Sequence, residues 1–200
     1  MNNLKLHLRD LKKSLVEAWK VVFADCPDVE VSYGDIFDGT SSDALVSPAN
    51  AFAWMDGGID LVYSDYFGWK LSEELRKQID RDFEGELLVG QAAVIDIRPF
   101  KADTAHKYLI SAPTMRVPMD VSQTVNAYLA FRATLRVARK HPEISRILCP
   151  GLGTAIGLMD PETCAKQMRV AWEERNGQVK YPSLSLAHRI HFRLLPKEDA

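Results

Sequence analysis

Ser47-Pro48-Ala49-Asn50-Ala51-Phe52-Ala53-Trp54-Met55-Asp56-Gly57-Gly58-Ile59-Asp60 is the stretch whose reading decides the fold. The apolar run Ala44-Leu45-Val46 leads into it and predicts a buried strand. Pro48 stops that strand, because proline donates no ladder hydrogen bond. Asn50 falls just beyond the strand end, where a carboxamide offers a ligand both a donor and an acceptor. Gly57 and Gly58 let the backbone pass close to a bound group and tolerate positive φ. From Ile59 the pattern turns helical, with Ile59, Val62, Tyr66 and Trp69 expected on one face. The order is strand, glycine loop, helix N-terminus. Free N–H groups and the helix dipole make such a start an anion site.

Working outward toward the N-terminus, Leu4, Leu6 and Leu8 alternate, so residues 3–9 are expected as a strand. Asp10 is the expected cap of a helix with Leu11, Leu15, Ala18 and Val22 on one face and Pro27 past its end. Val29, Val31 and Tyr33 alternate again and run into Gly34-Asp35-Ile36. Asp35 thus falls at a strand end, where α/β sheets place ligand contacts.

Toward the C-terminus, Gly68 breaks the helix, and Leu71, Leu75 and Ile79 mark another ending near Phe83. Residues 87–97 are strand-like, with a bulge expected at Gly90. A short strand follows at Tyr108-Leu109-Ile110, then a loop over 113–121. Ser122 is the expected cap of a long helix carrying Tyr128, Phe131, Leu135 and Ala138 on its apolar side. Its other side carries Arg132, Arg136, Arg139 and Lys140, a solvated face with no aromatic platform for nucleic acid. The strand Ile147-Leu148-Cys149 feeds Pro150-Gly151-Leu152-Gly153-Thr154-Ala155-Ile156-Gly157. Three glycines there suit close approach to phosphates. No Gly-Lys-Ser/Thr follows, which excludes a Walker loop. Asp160 and Pro161 are the expected N-cap and N1 of the next helix, with Cys164, Met168 and Trp172 inward and Asn176-Gly177 at its end. Ile190, Phe192 and Leu194 alternate as a last strand, which would put His188 and His191 on opposite faces. No metal site is expected.

Three of these stretches together resemble the macro domain, the ADP-ribose-binding family. Ser47-Pro48-Ala49-Asn50 and Gly57-Gly58-Ile59-Asp60 are similar to its first ligand loop, in a form most like the branch of phages, bacteria and fungi. Gly34-Asp35-Ile36 is similar to its adenine motif, and residues 151–157 to its second ligand loop. There Thr154 and Ile156 match, Ala155 replaces a glycine, and the aromatic after Ile156 is missing. The resemblance implies a three-layer α/β/α sandwich with a mixed central sheet. It implies that Asp35 accepts from the adenine amino group while the Ile36 N–H meets the ring. Gly57, Gly58, Ile59, Gly151, Gly153, Thr154, Ala155, Ile156 and Gly157 would line the ligand. Asn50 would hold the distal ribose and Asp60 would orient or activate water. Three functions are compatible with this: hydrolysis of an ADP-ribosyl bond or of ADP-ribose-1''-phosphate, recognition of ADP-ribose without turnover, or an assembly role that kept the fold without the ligand.

Composition bounds the rest. Two hundred residues with 46% hydrophobic and 26% charged side chains suit one soluble domain spanning 1–200, with its core at about 3–195. A net charge of −2 gives no general attraction to nucleic acid. No run reaches the ~18 apolar residues of a membrane span. Cys26, Cys149 and Cys164, without a CxxC, are expected as free thiols in a reducing, cytoplasmic setting. No cofactor is implied, and the sequence sets no oligomeric state.

Overall fold

The computed structural model describes residues 4–176 and 182–196. Six strands form one sheet in the order β2-β1-β6-β3-β5-β4: β1 (Lys5–Asp10), β2 (Val29–Tyr33), β3 (Ser42–Ser47), β4 (Ala93–Asp96), β5 (His106–Ser111) and β6 (Arg146–Cys149). All neighbours are parallel except β4, which runs antiparallel to β5, so the sheet is mixed. The helices are α1 (Lys13–Val22), α2 (Gly58–Phe67), α3 (Lys70–Phe83), α4 (Asn126–Lys140), α5 (Pro161–Glu173) and α6 (Leu184–Leu194).

Alternation along the strands divides the core in two. Leu6, Leu8, Ala44, Val46, Ile110, Ile147 and Cys149 point to one face and pack against α1, α4 and α5, with Trp19, Phe131 and Trp172 wholly buried there. Leu45, Leu109 and Leu148 point to the other and meet Tyr63 and Phe67 of α2 and Leu71, Leu75 and Ile79 of α3. This is the α/β/α sandwich. The register pairs Ser47 with Ser111 and Leu8 with Cys149, so the parallel strands end along one edge. Clefts in open α/β sheets form at that carboxyl edge.

Several local expectations are corrected. The buried face of α2 is Asp60, Tyr63, Ser64 and Phe67, whereas Val62 and Trp69 are exposed. The inward set thus includes polar residues that hydrophobic periodicity skips. In α1 the buried set is Leu15, Val16 and Trp19, Leu11 is exposed, and Lys12 rather than Asp10 stands at the N-cap. Ser122 is no cap either; α4 begins at Asn126, because Val121 and Thr124 first form a turn. Only Ala93–Asp96 of the 87–97 stretch is strand, and Gly90 sits at φ +96° in the turn before it. The C-terminal alternation is not a strand. Ser183 accepts from the Leu186 N–H and starts α6, which places His188 and His191 one turn apart. Among the described residues no His, Cys, Asp and Glu cluster could hold a metal ion. Residue 3 and Gly177, at the ends of two expected elements, lie outside the described residues.

Candidate functional site

A cleft of about 520 Å³ opens along the carboxyl edge of the sheet. Asp35 and Ile36 line it beyond β2, and Asn50 and residues 56–60 beyond β3. Gly151 and residues 153–157 line it beyond β6. Every sequence-predicted site residue therefore falls on this one cleft. Trp54 and Asp56, inside the first loop stretch but not singled out as site residues, line it as well, and so do Arg9, Asp10, Lys12, Thr114 and Met115, which stood in none of the three motifs.

The loop after β3 is rigidly built. Asn50 Oδ1 accepts from the Phe52 and Trp54 N–H groups at 3.1 and 3.2 Å, and its Nδ2 donates to the Trp54 carbonyl at 2.9 Å. An amide has two donors and two acceptor positions, so one N–H of Asn50 remains for a ligand rather than the donor–acceptor pair expected. Ser64 Oγ donates to the Met55 carbonyl, and Ser72 Oγ to that of Ala53. The second bond supports a left-handed residue, Ala53 at φ +53°, a conformation non-glycine residues avoid. Gly58 at φ +56° then turns the chain into α2. The Ile156 side chain closes over this turn, and a Cβ on Gly57 would stand 3.5 Å from it.

Asp60 lies in the first turn of α2, only 5% exposed. Ser47 Oγ donates to its Oδ1 at 2.6 Å. Burial pushes the carboxyl up to about 7, and the Ser47 hydrogen bond pulls weakly the other way. A carboxyl that titrates near neutrality in a cleft can exchange a proton with a bound water.

The second loop presents its backbone. Gly151 N–H is held by Asp10, but among the described residues the N–H groups of residues 153–157 have no protein acceptor. Those of Gly58, Ile59 and Asp60 at the α2 start and that of Ile36 have none either. Aligned free N–H groups are what an anion needs. Ala155 is not among the residues with positive φ; Gly153 (+72°) and Leu158 (+54°) make the turn around it. Gly157 cannot carry a side chain, since a Cβ would meet the Gly153 carbonyl at 2.6 Å. Asp35 keeps one oxygen on the Phe37 N–H at 2.8 Å, which leaves the other for a ligand.

Cys26, Cys149 and Cys164 are free, and the last two are buried. On the basic side of α4, Arg132 pairs with Glu174 and Arg139 donates to the Arg175 carbonyl. No helix of the described residues is long and apolar enough to cross a membrane.

A family model described as Macro domain matches residues 46–168. An uncharacterized protein of Aquifex aeolicus is 30% identical over 142 residues, 70% of this chain and 78% of its own length. One from Aeropyrum pernix is 28% identical over 141 residues, 70% of this chain and 68% of its own. Among solved structures, the macrodomain of Mycobacterium tuberculosis DarG superposes with a TM-score of 0.60 at 23% identity, covering 72% of this chain and 88% of that one. That of Thermus aquaticus DarG gives 0.59 at 17%, covering 84% and 91%. A mutant Oceanobacillus iheyensis macrodomain solved with ADPR gives 0.56 at 18%, covering 70% and 74%. With a family match over more than half of its length and the corresponding fold, the chain belongs to the macro domain family.

Proposed function

We propose that this protein binds ADP-ribose or a derivative and hydrolyses an ADP-ribosyl bond or ADP-ribose-1''-phosphate. The observation that carries the reading is two sets of N–H groups without a protein acceptor, in residues 153–157 and 58–60, on loops that line one cleft with Asp35 among its walls and the buried Asp60 beside them. Asp35 and the Ile36 N–H would take the adenine, the two sets the diphosphate, and the free Asn50 N–H the distal ribose. Water attacks the anomeric carbon, or phosphorus in the 1''-phosphate. Ionised Asp60 accepts the water's proton as the bond to the leaving group breaks. The substrate is fixed and the water placed, so geometry carries much of the rate. Three free thiols suit a reducing, cytoplasmic setting.

A second reading, recognition without turnover, is favoured by the Asn50 carboxamide, which is mostly bonded within its own loop. Titration calorimetry with ADP-ribose, ADP and AMP, and single-turnover assays on ADP-ribosylated peptides and ADP-ribose-1''-phosphate, separate the two. Asp60→Ala is expected to lower turnover by ~10²-fold or more while ADP affinity holds. Binding without product from any substrate leaves the binding module. Absence of binding leaves a fold kept without its ligand.

A further inference from the structure

The end of β1 enters the cleft between the Asp35 loop and the second glycine loop, and its side chains tie both together. Arg9 donates from Nε to the Asp35 carbonyl at 2.7 Å, from Nη1 to Ser32 Oγ at 2.7 Å and from Nη2 to the Asp38 carbonyl at 3.2 Å. Asp10 accepts from the Lys12 N–H at 2.8 Å and from the Gly151 N–H at 2.9 Å. Lys12 Nζ donates to the Thr154 carbonyl at 3.0 Å.

These three residues are not equivalent. The guanidinium of Arg9 is committed to the Asp35 loop, and both Asp10 oxygens are engaged. An ammonium has three donors, and Lys12 has one of them in use. Among the described residues no carboxylate pairs with it, and it stands beside the unpaired N–H groups of residues 153–157. Besides Arg9 and Lys12, the charged side chains along the cleft are Asp10, Asp35, Asp56 and Asp60. A diphosphate entering this cleft would meet more negative than positive side chains, and Lys12 is the cation placed against the loop that would hold it.

We propose that Lys12 is a specificity-determining residue. On the ADP-ribose reading of the cleft, on which this rests, its ammonium bonds an oxygen of the diphosphate seated on the 153–157 N–H groups. The site then selects nucleoside diphosphates through charge as well as through backbone geometry. The competing role is a tether for the Thr154 carbonyl alone.

Lys12→Met keeps the stem and removes the charge, and Lys12→Arg keeps the charge. Dissociation constants for ADP-ribose, ADP and adenosine are measured by calorimetry for each protein at low and high salt, with thermal unfolding as a control. Lys12→Met is expected to weaken ADP-ribose and ADP about tenfold or more, the scale of a charged hydrogen bond, and to leave adenosine within about twofold. Its salt dependence should flatten, since a screened attraction is gone. Lys12→Arg should recover most of the loss. Wild-type diphosphate binding that Lys12→Met leaves intact, or an equal loss of adenosine and ADP, overturns this inference and leaves the cleft assignment standing. Failure of the wild type to bind either nucleotide overturns the cleft assignment and this inference with it.

Discussion

Replacing Asp60 by Asn should make the protein less sensitive to rising pH. In the folded state the carboxyl is 5% exposed and is held at about 7 by burial, against an ordinary value of 3.8. Between those values the folded chain keeps a proton that the unfolded chain has released. Unfolding then releases protons, so wild-type stability falls as pH rises from about 4 to about 7 and levels off above it. The direction is opposite to that of a carboxylate held low by an ion pair. Integrating the two titrations from about pH 5 to about pH 8 gives a loss of ~2.5 kcal/mol attributable to Asp60 alone. Asn does not titrate, and its Oδ1 can still accept from Ser47. Its amide has a fixed cost or gain at all pH values, which cancels when stabilities at two pH values are subtracted. Urea unfolding followed by tryptophan fluorescence suits this protein, because Trp19 and Trp172 are wholly buried. The difference between wild type and Asp60→Asn should grow by ~2.5 kcal/mol in favour of the variant from about pH 5 to about pH 8. Parallel curves would mean that Asp60 ionises at its ordinary value, and the reasoning from burial would be wrong.

Other outcomes follow from the same geometry. If ionised Asp60 takes the proton, turnover should rise with pH through about 7. Ser47→Ala removes the hydrogen bond that stabilises the carboxylate, so the midpoint should move upward in a rate–pH profile. Asp35→Ala should weaken ADP-ribose by ~1.5–3 kcal/mol in calorimetry, and inosine diphosphate ribose should bind the wild type more weakly by a similar amount. Gly157→Ala would press a methyl on the Gly153 carbonyl and Val121, so the loop must shift. ADP affinity should fall by about tenfold, with unfolding changed by ~1–3 kcal/mol.

The strands written as continuous apolar runs were legible in the sequence. Leu45 flanked by Ala44 and Val46, and Leu148 flanked by Ile147 and Cys149, behave as the pattern predicts, because a central strand is buried on both faces. Asp160 and Pro161 also act as cap and first helical residue, a local signal that needs no tertiary partner. Alternation misled at Ile190, Phe192 and Leu194, which belong to α6 and not to a sheet edge. Periodicity misled in α2, where Asp60 and Ser64 turn inward and Val62 faces out.

The cleft residues divide in the same way. Asp35, Asn50, Asp60 and the glycines of both loops stand in short contiguous motifs, which the resemblance to the macro domain made recognisable as one set. Arg9, Asp10 and Lys12 were not visible as site residues. They reach the cleft because β1 lies parallel between β2 and β6, a pairing across more than a hundred residues of chain in the case of β6. The spare N–H of Asn50 and the near-neutral titration of Asp60 likewise depend on what surrounds each group. The sequence by itself determined the α/β/α class and the glycine loops, because strand burial and backbone freedom are properties of neighbouring residues. Only the tertiary structure decided which charges meet in the cleft and which proton Asp60 keeps, because desolvation and hydrogen-bond partners come from parts of the chain far apart in sequence.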